Sequence, residues 1–135
     1  MADAKTKHER PLSPHLGIYR PTINMVMSIV HRISGAALYF GTVLLAAWLI
    51  SIAQGPKAFN VVNAIFAHPL GKFVLFGYTW ALMHHMLGGM RHLLWDTGRG
   101  FDLRTVNILS WLSIIGSIAL TLAVWYVGLR MQGVL

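Results

Sequence analysis

Three long apolar stretches, separated by short polar ones, dominate the chain. The uncharged runs are Ile33 to Ala53, Phe73 to Met90 (interrupted only by His84 and His85) and Thr105 to Leu129. Crossing the hydrocarbon core of a bilayer takes about 17–25 apolar residues of α-helix, and all three runs fall within that range. The second lies at its short end, and Lys72 and Arg91 beside it can snorkel to the headgroups. Buried helices of a water-soluble fold would need polar faces elsewhere to cover them, and the chain has none. The pattern predicts an all-α integral membrane fold with three transmembrane helices. The spans cover about 22–53, 71–95 and 105–130, within a transmembrane domain of 21–135 that follows an interfacial segment, 1–20.

The first helix should start well before Ile33, because Pro21 suits a first turn and Thr22 to Val30 is almost all apolar. About 30 residues of helix reach ~45 Å, more than the hydrocarbon core. Its first turns, with Ser28, His31 and Arg32, therefore belong in the headgroup layer or against a partner. Gln54 to Gly71 reads as a connecting loop, with Gly55-Pro56 and His68-Pro69 as breakers. Asp96 to Arg104, with Gly98 and Gly100, reads as a second loop.

Charge sets the direction of the spans. Lys5, Lys7, Arg10, Arg20 and Arg32 precede the first apolar run, and Arg91, Arg99 and Arg104 surround the second loop, so one side holds eight basic residues. The other side holds three: Lys57, Lys72 and Arg130. The excess of Lys and Arg on cytoplasmic segments places the N-terminus in the cytoplasm and the C-terminus outside. Trp48, Trp125 and Tyr126 then fall near the outer interface and Trp95 near the inner one.

Composition agrees and removes alternatives. Among 135 residues, 56% are hydrophobic and 11% charged, against about 25% charged in an ordinary soluble domain. The formal net charge of +7 does not indicate nucleic acid, because the basic residues sit at the ends of apolar blocks and form no stripe interleaved with aromatics. There are no cysteines, which excludes disulfides and cysteine-ligated iron–sulfur clusters on this chain. The segment from Met1 to Arg20 contains neither the apolar core of a signal peptide nor an Arg- and Ser-rich transit sequence.

The ionisable residues gather at the inner face. His85 and His92 are seven positions apart, so they face nearly the same way, ~10.5 Å apart along the axis. Gly89 lies between them on that face, where a flat ligand would otherwise meet a side chain. Ser28, His31 and Arg32 occupy one flank of the first helix at the same depth. A neutral imidazole in an apolar span can serve as an axial ligand to haem iron. Arg32, His31, Arg91 and His92 could meet the two propionates, and Ser28 with Arg32 could hold a quinone carbonyl in a flat, dry slot. Spacing equally allows a plainer account. Histidines can bond between helices, arginines can anchor at the interface, serine commonly packs between membrane helices, and Gly88-Gly89 can be a close-packing site. His84 points about 100° away from His85 and reads as a packing or lipid-facing residue.

Three stretches resemble a known family. They are Arg10-Pro-Leu-Ser-Pro-His-Leu-Gly-Ile-Tyr19, Ser28-Ile-Val-His-Arg-Ile-Ser-Gly35 and His85-Met-Leu-Gly-Gly-Met-Arg-His-Leu-Leu-Trp-Asp96. In this order, on these helices, they are similar to the cytochrome b membrane-anchor subunit of succinate dehydrogenase, respiratory complex II. The resemblance implies a subunit that is not catalytic alone, in a bundle completed by a second anchor subunit. It makes His85 the axial ligand of haem b, with the other ligand supplied by that second anchor. His31, Arg32 and His92 fall near the haem propionates, Ser28 and Arg32 line the ubiquinone pocket, and Asp96 is a candidate for the proton path. The spacing to Gly89, Arg91 and His92 selects His85 over His84. The implied partners are an iron–sulfur subunit, which Arg10 to Tyr19 would approach along the membrane surface, and a flavoprotein subunit that oxidises succinate in the tricarboxylic acid cycle. The implied location is a bacterial inner membrane in preference to a mitochondrial one. Two rivals stand beside this reading: a quinol:fumarate reductase anchor, and a membrane scaffold without a redox role.

Overall fold

The computed structural model describes residues 20–134, which form four helices. The stretch Arg10 to Tyr19, like Lys5 and Lys7, lies outside the described residues. Helix α1 spans Ile23–Ala53, α2 Pro56–Ala67, α3 Pro69–Asp96 and α4 Leu103–Met131. Thr22 caps α1 in extended conformation, so Pro21 stands just before the helix and not in its first turn.

The segment after α1 departs from the sequence-based expectation of a loop. Pro56 to Ala67 is helical, with Pro56 in the first turn and Gly55 as the cap at φ 99°. Proline lacks the N–H that a first turn leaves unused and holds the helical φ, so it starts helices as readily as it stops them. His68 sits before Pro69 in extended conformation, as a residue preceding proline must. Its Nδ1 accepts from the Leu70 N–H, at 3.3 Å, and caps α3. The chain therefore turns sharply between two helices, and α2 is bent 81° from α3. Gly98 and Gly100, with φ of 75° and 77°, make the turn before α4. The Trp95 Nε1–H donates to the Gly100 carbonyl at 3.1 Å and ties that turn down. Asp102 caps α4 by accepting from the Thr105 N–H at 2.9 Å, and hydrogen bonding from the Thr105 side chain, with that backbone bond, holds its carboxyl below the usual carboxylate range.

Helices α1 and α4 are each long and apolar enough to cross a membrane, and α2 with α3 meets the same standard as a bent pair. Burial runs opposite to that of a soluble protein. The buried residues are mostly small or polar: Ser34, Gly41 and Ser51 on α1, His84, Gly88 and Arg91 on α3, and Ser110, Ser113, Ser117 and Thr121 on α4. The large apolar side chains face out, among them Phe40, Phe73 and Ile33. In lipid there is no hydrophobic gain from packing one helix on another, so close approach of small residues and interhelical hydrogen bonds hold the helices together.

Helix α3 is central, packed on α1 by one side and on α4 by another. Along α4, Ser110, Ser113, Ser117 and Thr121 form a stripe at three- and four-residue spacing. Each hydroxyl donates to a carbonyl of its own helix: Val106, Leu109, Ile114 and Ser117 respectively. On the other side Gly41 receives the Tyr78 ring, leaving no room for a Cβ. At the end nearest α2, the Trp125 Nε1–H donates to Thr79 Oγ1 at 3.3 Å, and Phe76 meets the Trp125 ring edge-on.

Candidate histidine site between the first and third helices

Two glycines let imidazoles fill the gap between α1 and α3. A Cβ on Gly35 would lie 2.9 Å from His85 Cε1, and a Cβ on Gly88 would strike the His31 ring. Each histidine thus rests on a glycine of the opposite helix. The two rings stack with centroids 4.0 Å apart and planes within 4°. His92 extends the row, its ring 5.2 Å from that of His31, and Trp95 meets His92 edge-on at 5.1 Å.

The hydrogen bonds assign the His85 proton. Its Nδ1 lies 3.2 Å from the His31 carbonyl and 3.3 Å from Ser34 Oγ. A carbonyl only accepts. Ser34 already donates its one proton to the same carbonyl, at 2.9 Å, so towards His85 it can only accept. Both contacts require a proton on Nδ1, which leaves the lone pair of the neutral ring on Nε2. Among the described residues Nε2 makes no hydrogen bond, and His85 is only partly covered. A metal-binding imidazole is commonly set this way, one nitrogen held by a carbonyl and the other kept bare.

Of the other residues singled out from the sequence, His31 and His92 stand in the same row of rings. Ser28 and His31 are partly covered, while Arg32, His92 and Asp96 are exposed. His31 Nδ1 is buried without a hydrogen-bond partner among the described residues. Gly89 has open space where a side chain would be, and Gly88 is the glycine that packs on α1. Spacing allows both glycines one packing role; the structure divides them, leaving Gly89 on the open side. Two contributors escape the sequence reading: Ser34, which fixes the His85 proton, and Gly35, which admits the ring. The adjacent Ser34-Gly35 pair inside an apolar run is the available signal.

Arg91 is not brought to this face. Its guanidinium is buried towards α4, where Nη1 donates to Ser110 Oγ at 3.0 Å, and Cζ lies 5.0 Å from the Trp95 ring centre. His84 also turns to α4. It is 2% exposed, stacked on Trp80 with centroids 5.3 Å apart, and its Nδ1 is 3.5 Å from Ser117 Oγ. His84 is a packing residue between helices.

Comparison with known proteins matches residues 6–124 to the model of the succinate dehydrogenase/fumarate reductase transmembrane subunit. The chain belongs to that family. It is 40% identical over 130 residues to the succinate dehydrogenase cytochrome b556 subunit of Paracoccus denitrificans, covering 94% of this chain and 99% of the relative. It is 39% identical over 125 residues to the protein of the same name from Rickettsia felis, covering 90% and 98%. The mitochondrial succinate dehydrogenase cytochrome b560 subunit of Mus musculus is 37% identical over 120 residues, covering 85% and 67%. Membership agrees with the resemblance drawn from the three sequence stretches.

Proposed function

We propose that this chain is the haem b-binding membrane anchor of a succinate:ubiquinone oxidoreductase. It crosses the membrane three times, with its N-terminus in the cytoplasm of a bacterial cell. The observation that carries the haem assignment is the His85 ring, with Nδ1–H held by the His31 carbonyl and Ser34 and with Nε2 bare. His85 Nε2 would hold the iron, and a second anchor subunit would supply the other ligand. His31, His92 and Arg32 would offer donors and positive charge to the propionates. Haem, when bound, supplies a one-electron store between the iron–sulfur partner and the quinone.

The chain's own residues do the positioning. Arg32 and Ser28 offer donors to a quinone carbonyl from the first turns of α1. Positive charge there stabilises negative charge arriving on the quinone oxygens. Asp96 is exposed at the end of α3, where it can pass protons from the aqueous side. The flavoprotein partner oxidises succinate, so this subunit is not catalytic alone. Arg91 is left out of the set because its guanidinium is spent on α4. The curated relatives carry the succinate dehydrogenase name, which favours that direction over fumarate reduction.

The test is the reduced-minus-oxidised spectrum of the purified complex. His85→Ala abolishes or shifts the b-type absorption, and His84→Ala leaves it in place. Equal loss in both variants, or no b-type absorption in the wild-type complex, would reject the assignment and favour a scaffold without a redox role.

A further inference from the structure

Arg91 is the charge that the proposed site does not use. It is 4% exposed, and its Nε, also buried, has no hydrogen-bond partner among the described residues. Among the described residues the only carboxylates are Asp96 and Asp102. Asp96 lies about 140° round α3 from Arg91, and Asp102 caps α4. A guanidinium buried with one neutral hydrogen bond and an aromatic ring still lacks a counter-charge, and an unpaired buried charge is costly.

Space for an anion lies beside it. Arg91 lines a cavity of about 260 Å³ between α3 and α4. Leu87, Leu94 and Leu109 form its walls, and Met90 and Leu112, 59% and 57% exposed, stand at its mouth. By helical spacing Met90, Leu94 and Leu87 lie about 140°, 180° and 200° round α3 from His85. A partner packed on the His85 face alone leaves this opening uncovered, and with such a partner the cavity would face lipid; this choice of occupant rests on the functional reading above. Apolar walls disfavour a free hydrated ion but suit an anion that arrives with acyl chains attached.

We infer that the cleft between α3 and α4 is a binding site for an anionic phospholipid, whose phosphate pairs with Arg91 while its chains lie along Met90 and Leu112. Charge-assisted hydrogen bonds from a guanidinium to phosphate are short and can be bidentate, which suits Arg better than Lys.

The experiment uses the intact complex, stripped of bulk lipid in detergent. It is offered phosphatidylglycerol or phosphatidylcholine, and bound lipid is counted by native mass spectrometry. Wild type retains or rebinds phosphatidylglycerol in preference to phosphatidylcholine, and inorganic phosphate does not displace it. Arg91→Gln weakens that binding by about ten- to a hundredfold, with the b-type spectrum unchanged. Leu112→Trp, which fills the mouth and keeps the charge, displaces the lipid too, and serves where Arg91→Gln does not assemble. Wild type without preference for the anionic lipid, or Arg91→Gln with undiminished binding, overturns the inference. Displacement by inorganic phosphate overturns the choice of lipid. Loss of the b-type spectrum in Arg91→Gln with lipid retained would return Arg91 to the haem site. A failed haem assignment shows in the wild-type spectrum alone, independently of the lipid count.

Discussion

His84 and His85 share a peptide bond, and their rings end in different interfaces. His84 turns to α4, where Ser117, together with Trp80 of its own helix, encloses it almost completely. Ser117 has donated its proton to Ile114, so it can only accept from His84, and the contact satisfies one ring nitrogen within a sealed layer. His85 turns to α1, where a carbonyl and a serine hold Nδ1 and the ring stays half-open. Residue type, depth and helix are the same. The difference lies in what the opposite helix presents: a row of hydroxyls on α4, and on α1 a glycine beside the His31 carbonyl. A hydroxyl row closes around an imidazole, while the glycine admits the ring without enclosing it.

The comparison can be broken most severely at Gly88. Gly88→Leu drives a side chain into the His31 ring and separates α1 from α3; overpacking of this kind costs about 1–3 kcal/mol or more. Loss of assembled complex on gel filtration, with loss of b-type absorption, is expected. A complex of normal yield would show that the two helices are not held by this contact. A narrower effect is expected from Gly35→Val, whose Cβ meets His85 Cε1 at 2.9 Å. Assembly persists, haem per complex falls, and the spectrum shifts, whereas a change confined to stability would mean that ring position does not matter. Ser117→Ala sharpens the comparison from the α4 side with the smallest effect. It removes one interhelical bond, worth about 0.6 kcal/mol between membrane helices. Thermal stability of the complex drops slightly and the b-type spectrum stays as it was. A spectral change would mean that the two imidazole layers are coupled.

The apolar runs are legible because crossing a bilayer imposes length and composition at once. The reach of α1 back to Ile23 follows from the same rule. The segment after α1 is misread as a loop because Gly55-Pro56 and His68-Pro69 carry two meanings, and a proline that ends one helix also begins the next. The shared level of His31, His85 and His92 is readable too, from their spacing on two antiparallel helices. Direction across the helix is harder. Arg91 and His92 are adjacent, and only packing shows that one guanidinium goes to Ser110 while the neighbouring imidazole stays at the open row. The hydroxyl stripe of α4 is present in the sequence at regular spacing and identifies the packed face of that helix. The tautomer of His85 cannot be read, because it depends on Ser34 and a backbone carbonyl of another helix.

The sharp turn between α2 and α3 has a consequence for how deep the histidines sit. With α3 upright in the bilayer, a helix bent 81° from it runs nearly parallel to the membrane plane, and placed at the surface it would fix where α3 enters. It then acts as a stop, and depth along α3 is measured from Pro69. At about 1.5 Å per residue, His85 stands ~24 Å from the stop and His92 ~35 Å. The hydrocarbon is about 30 Å thick, so its far boundary falls between the two rings. A bilayer a few ångströms thicker would draw His92 towards the dry layer, and a thinner one would bring His85 towards water. Membrane thickness thereby becomes a variable that tunes the polarity around each ring without any change in sequence.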